Sequence, residues 1–228
     1  RVPYGDATVR PRPRFPMVMD TTDALRTDRH DADARLVTAL VRDLDGAFPD
    51  LVTDHQDRLY SIALRMLGDP HDAEEAAQDA LVRAYRALSG YDAERIAELR
   101  LRGWLATIVL NLCRTRLGRR AGHGPPPSSL DEAPPGAQEP RAAERASPET
   151  VAQRRDERDA WADRLLRLPP AYRAAVVLRH VDGLSYPETA AALGRPEGTV
   201  KAQVHRGIAL LRTMLEAETR SERQEMTA

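Results

Sequence analysis

Residues 184–212 read LSYPETAAALGRPEGTVKAQVHRGIALLR. Ser185 stands before a short apolar run with Glu188 three residues on, the Ser-x-x-Glu capping box that opens a helix by satisfying its free backbone N–H groups. Gly194 suits the left-handed residue that ends such a helix, which therefore closes after Leu193. Pro196 and Thr199 start a second, longer helix, with Val200, Val204, Ile208, Leu211 and Leu215 at helical spacing. Ala190 and Ala191 are small enough for two helices to cross closely, and Leu193, Val200 and Val204 can fill the crossing. This is a helix-turn-helix, whose second helix enters the DNA major groove by its N-terminal half. That half carries matching chemistry. Lys201 and Arg206 can neutralise phosphate or reach guanine acceptors, Gln203 can pair with adenine, and Thr199, Ala202 and His205 lie among them. Between Arg195 and Arg212 the only acid is Glu197. Pattern alone also fits an ordinary helical hairpin with a solvated charged face.

The rest of the chain reads as helix too, with no strand-like alternation and no internal repeat. Just upstream, Trp161, Leu165 and Leu168 keep helical spacing, Pro169-Pro170 opens a helix carrying Tyr172, Ala175, Val176, Leu178 and Val181, and Asp182-Gly183 closes it. Near the start, a helical pattern begins at about Ala34 with Leu36, Leu40, Leu44 and Ala47. Pro49 interrupts it, and Leu51, Leu59, Ile62, Ala63, Met66 and Leu67 continue it. Gly68-Asp69-Pro70 is a stop and turn. Asp72, with Glu75 three residues on, should cap a helix that runs to Leu88 on a face of small residues (Ala73, Ala77, Ala80, Ala84). A further helix, Trp104 to Leu117, carries the stripe Trp104, Leu105, Ile108, Val109 and Leu112, which assigns Trp104 to the core rather than to a stacking role. Residues 118–150 hold seven prolines and no core pattern, the composition of a flexible linker. Residues 1–33, rich in Pro, Arg and Asp, are expected to be disordered. The expectation is an all-α chain of two small helical domains, at 34–120 and 156–218, joined by a Pro-rich linker at 121–155 and followed by a tail at 219–228.

Composition excludes several function classes. The chain has 228 residues, 30% charged and 42% hydrophobic, with a net charge of −1, so nucleic-acid binding has to come from local charge segregation. One cysteine, Cys113, excludes an intramolecular disulfide framework and a cysteine-rich zinc site. No apolar run approaches the ~20 residues that span a bilayer. The six histidines are scattered, and neither a phosphate-cradling glycine loop nor a paired-carboxylate site is present. No cofactor, no metal and no catalytic role are expected, and a cytoplasmic setting is. Charge does segregate. From Leu99 to Leu130 there are six arginines (100, 102, 114, 116, 119, 120) and no acid, a footprint for a phosphate backbone. Thr107, Asn111 and Arg114 share one helix face beside it. On the helix before, Glu75, Gln78, Asp79, Val82 and Arg86 lie opposite the alanines. On charge alone that face reads as solvated, held by pairs such as Asp79 with Arg83.

The segment LPPAYRAAVVLRHVDGLSYPETAAALGRPEGTVKAQVHRGIALLR, residues 168–212, resembles region 4 of the bacterial extracytoplasmic-function sigma factors. About a hundred residues upstream, DRLYSIALRMLGDPHDAEEAAQDALVRAYRAL (57–88) and GWLATIVLNLCRTRLGRR (103–120) resemble the start and end of sigma region 2. Two matches in the family's order, with no region 3 between them, are far more specific than either alone. The resemblance implies a sigma factor that binds core RNA polymerase and directs promoter recognition and melting. It implies that Glu75, Gln78, Asp79, Val82 and Arg86 dock on polymerase, and that Arg102, Thr107, Asn111 and Arg114 hold the melted minus-ten strand. Thr199, Lys201, Ala202, Gln203, His205 and Arg206 are then the readers of the duplex minus-thirty-five element. An anti-sigma factor that clamps both regions is a further implied partner. The competing reading is a helix-turn-helix regulator that works without docking on polymerase.

Overall fold

The computed structural model describes residues 22–120, 122 and 160–225. The expected disorder of residues 1–21 and the linker at 123–155 fall outside them. Among the described residues the chain is helical without a strand, as the apolar spacing implies. The first set comprises α1 (Thr22–Arg42), α2 (Leu44–Leu67), α3 (Pro70–Ser89), α4 (Ala93–Ala97) and α5 (Leu101–Arg120). The second comprises a helical run over 160–166, here α6, then α7 (Pro170–Val176), a π-turn (Val177–Val181), α8 (Tyr186–Leu193) and α9 (Glu197–Glu225).

Several boundaries differ from the sequence reading, each for a local reason. Helix α1 starts at Thr22, so 22–33 are helical rather than disordered. The break before α2 lies at Asp43, whose side chain caps the helix by accepting from the Gly46 N–H, and Pro49 sits inside α2, forgoing one rung of the ladder. Helix α3 is capped by Asp69, not Asp72: Pro70 takes the first helical position, where a missing N–H costs nothing, and the Asp69 carboxylate accepts from the Asp72 N–H at 2.8 Å. Helix α9 runs on to Glu225, beyond the expected boundary at 218.

The alanine face of α3 is fully used. Ala73, Ala76, Ala80 and Ala84 are wholly buried, and small side chains there let α2 and α5 approach closely, with Leu59, Ile62, Met66, Leu105, Val109 and Leu110 filling the space between. Trp104 packs against this core, and Cys113 is buried in it, its thiol pushed up to about 12 by desolvation. In the second set, Gly207 on α9 lets α7 cross: a Cβ there would stand 2.6 Å from Val176 Cγ2. The core does not stop at the linker. Ala174, Val177, Leu178, Leu184, Leu193, Val200 and Val204 join the same apolar cluster as the helices of the first set, and α8 lies against α5.

Polar groups tie the halves as well. Arg173, buried on α7, donates to the Met66 carbonyl at 2.7 Å, at the C-terminal end of α2 where carbonyls lack partners and a cation is favoured. The π-turn adds a residue to the helical circuit. It turns Val181 outward, against the expectation from spacing, and brings Asp182 inward onto Arg58 of α2 and Arg102 of α5.

Candidate nucleic-acid interface

The helix-turn-helix is built as its residues dictate. The Ser185 N–H donates to Glu188 Oε2 at 2.8 Å and the Glu188 N–H to Ser185 Oγ at 3.3 Å, which completes the capping box of α8. Gly194 ends α8 at φ 62°. Val200, Val204 and Leu211 seat α9 by its inner face. Thr199, Lys201, Ala202, His205 and Arg206 are exposed on the outer face of its N-terminal half. Gln203 does not belong with them. It is buried at 9% exposure, three residues from Val200 and four from Gly207, on the inward stripe. Its Oε1 has no hydrogen-bond partner. Lys201 is held by Glu197 at 2.7 Å, one turn back, and that contact raises the pKa of its ammonium.

On α5, Asn111 and Arg114 are exposed, and the Arg114 guanidinium donates to Asn111 Oδ1 at 3.2 Å. Burial first, then the charge of Arg195 from the turn between α8 and α9, lowers the Arg114 pKa. Thr107 donates to the Gly103 carbonyl at 2.9 Å, and its hydroxyl also lies 3.5 Å from the Ala192 carbonyl of α8. The six-arginine footprint divides. Arg100, Arg114 and Arg119 are exposed. Arg102 donates to the Asp182 carbonyl at 2.9 Å, Arg116 pairs with Asp79 at 2.8 Å and Glu75 at 3.6 Å, and Arg120 pairs with Asp72. The carboxylates absent from the local sequence come from α3. Asp72, Glu75 and Asp79 form a stripe at helical spacing opposite the stripe Arg116–Arg120, and Asp79 meets Arg116 rather than Arg83.

The outer face of α3 is open. Glu75, Gln78, Asp79, Val82 and Arg86 are all exposed, Val82 at 49%. Sequence reasoning missed Tyr85 on the same face. It is exposed, three residues from Val82, with its ring edge-on to Phe48 at 5.0 Å and its hydroxyl donating to Asp45 at 2.7 Å. The spacing Val82-x-x-Tyr85 was the available signal. The loop before α5 is pinned: the Arg95 guanidinium lies 3.8 Å over the Tyr91 ring, which leans on Trp104 at 6.3 Å. Among the described residues no group of three metal-ligating side chains gathers, and no helix is long and apolar enough to cross a membrane.

Two family models match the chain: sigma-70 region 2 over residues 51–122 and sigma-70 region 4 over residues 158–211. Among curated relatives, the ECF RNA polymerase sigma factor SigW of Bacillus subtilis is 33% identical over 74% of this chain and 89% of its own length. The RNA polymerase sigma-E factor of Streptomyces avermitilis is 38% identical over 75% of this chain and 86% of its own. Among solved structures, CnrH in complex with the cytosolic domain of CnrY aligns with a TM-score of 0.58 at 27% identity, over 82% of this chain and 99% of CnrH.

Proposed function

The chain belongs to the extracytoplasmic-function RNA polymerase sigma factors, and from that premise we propose which of its surfaces does what when it binds core RNA polymerase and directs promoter recognition and melting. The outer face of α3, with Val82 and Tyr85 among Glu75, Gln78, Asp79 and Arg86, docks on polymerase. An apolar centre ringed by charge is the make-up of a protein interface. Thr199, Lys201, Ala202, His205 and Arg206 read the minus-thirty-five element as duplex, with Lys201 and Arg206 supplying phosphate neutralisation. The α5 face of Thr107, Asn111 and Arg114, with Arg102 at its start, holds the minus-ten element as single strand.

Strand capture promotes melting because it binds only the open state and shifts the duplex equilibrium by that difference. Unstacking costs a few kcal/mol per base, and stacking or pocket contacts of ~1–3 kcal/mol each offset it. One chain carrying both contacts raises the effective concentration of the second once the first is made. The chain needs no catalytic group of its own, since polymerase forms the phosphodiester bonds, and it works in the cytoplasm where polymerase is. Its regulatory partner is an anti-sigma factor, a reading supported by the likeness to CnrH captured with a partner protein.

The observation that carries this reading is the pairing of an exposed, basic α9 outer face with a polar α5 face on the two matched sigma regions. Run-off transcription by purified core polymerase, with and without this chain and with Asn111→Ala, tests it. A regulator acting on duplex without polymerase is the weaker reading, since it leaves the outer face of α3 and the exposed Asn111 and Arg114 of α5 without a role.

A further inference from the structure

We propose that Glu197 is a specificity-determining residue of α9: on the wrong duplex it holds Lys201 back from phosphate, and on the right one it exchanges that lysine for the amino group of a cytosine. The inference rests on the reading of α9 as the duplex-reading helix. Glu197 is the sole acid between Arg195 and Arg212, and it stands in the first turn of α9, the part of a recognition helix that meets base edges. Its Oε1 lies 2.7 Å from Lys201 Nζ, one turn on, with the two side chains 42% and 56% exposed. The Tyr186 ring, from the start of α8, flanks the same ammonium, its centroid 5.5 Å from Nζ. Lys201 is thus held from two elements, by a carboxylate and by an aromatic face. Glu197, Lys201 and His205 follow one another at single turns along α9.

An exposed pair at this spacing contributes little to stability, so the contact is readily exchanged. Its weight lies in the charge that α9 presents to DNA. While paired, Lys201 and Glu197 together offer phosphate no net charge. When Lys201 turns to a phosphate, the carboxylate is left without its cation beside a polyanion. A carboxylate accepts hydrogen bonds and donates none, so the major-groove group that satisfies it is an amino group, and cytosine N4 is the partner whose geometry suits Glu. Where the sequence puts a cytosine under Glu197, the carboxylate changes partner and Lys201 is free to neutralise phosphate. Elsewhere the release leaves Glu197 facing acceptors or the backbone, and repulsion opposes it. Specificity is a difference of affinities, and an acid that penalises the wrong sequence contributes to it as a contact that rewards the right one does. Glu197 also favours the start of α9 through the helix dipole, a role that has no dependence on base sequence.

The test uses the full chain bound to core polymerase. A duplex pool randomised across the upstream promoter element is selected by polymerase carrying either the wild-type chain or Glu197→Ala, and fluorescence anisotropy over a range of salt measures the affinity of each for the unselected pool. The wild-type selection should enrich cytosine at one position that Glu197→Ala leaves unselected, with the preferences at the other positions kept. Affinity of Glu197→Ala for the unselected pool should rise about fivefold, and its slope of log affinity against log salt should steepen by about 0.9, as Lys201 gains a phosphate. A cytosine preference kept by Glu197→Ala, the loss of a preference for any other base, an even loss at all positions, or pool affinity that does not rise overturns the role of Glu197. A wild-type complex that enriches no sequence in the upstream element overturns instead the reading of α9.

Discussion

Lys201 and Arg206 are both exposed on α9, five residues apart, and each is assigned a phosphate. In Lys201→Ala or Arg206→Ala, promoter binding by the polymerase-bound chain should weaken, and the slope of log affinity against log salt should flatten by about 0.9 per lost contact. Titrations at several salt concentrations check this, and an unchanged slope removes the residue from the interface. His55 makes the second residue-scale prediction. Its ring is buried on α2, with neither nitrogen in a hydrogen bond; Asp33 is 3.6 Å away. Burial first, then the charges of Arg58 and Arg102, lower its pKa from 6.5 to about 4. The folded state prefers the neutral ring, so stability is full above pH 6.5 and falls as pH drops towards 4, by roughly 3 kcal/mol. His180 shifts in the same direction. Urea unfolding at pH 7.5 and 5 should show the loss, and His55→Leu should remove most of it. At this scale the sequence was readable where side chains are exposed and local. Lys201, His205 and Arg206 lie where the helical period puts them. Gln203 has the chemistry of a base reader, but its spacing three residues from Val200 puts it on the inward stripe. Asp182 was out of reach, because an extra residue in a π-turn changes which side of the helix faces in.

Between elements, the α3–α5 crossing joins the proposed polymerase face to the proposed strand face. Asp79 sits on the outer side of α3, half exposed, and pairs across the groove with Arg116. Exposed pairs contribute ~0–1 kcal/mol, so Asp79→Arg should leave the thermal midpoint within a few degrees while impairing association with core polymerase about tenfold or more. Co-elution with core polymerase in gel filtration, beside a melting curve, reads both quantities, and normal co-elution removes this face from the interface. The helices themselves were legible from apolar spacing, and the alanine face of α3 told which side packs. Their starts were less so. Pro70 reads as a turn residue and serves as the first residue of α3, because a helix tolerates proline where no N–H is needed. The pairing of Arg116 and Arg120 with α3 was hidden because the acids and the bases lie some forty residues apart, and only the fold sets them side by side.

For the molecule as a whole, the family's two regions were readable in order and position, and their docking on one another was not. Composition marks the segment between them as a linker and says nothing about whether the regions it joins touch. The shared apolar core, the Arg173–Met66 bond and the pairing of Asp182 with Arg58 and Arg102 are long-range contacts among residues that each look ordinary in their own helix. The proposed task requires the two candidate DNA surfaces to act together on polymerase. Run-off transcription with purified core polymerase on promoter templates tests that task most directly. The account predicts a transcript that appears only when this chain is added and that fades when Asn111 or Lys201 is replaced by Ala. Polymerase that stays silent on every template, while the chain alone grips intact duplex tightly, would contradict it.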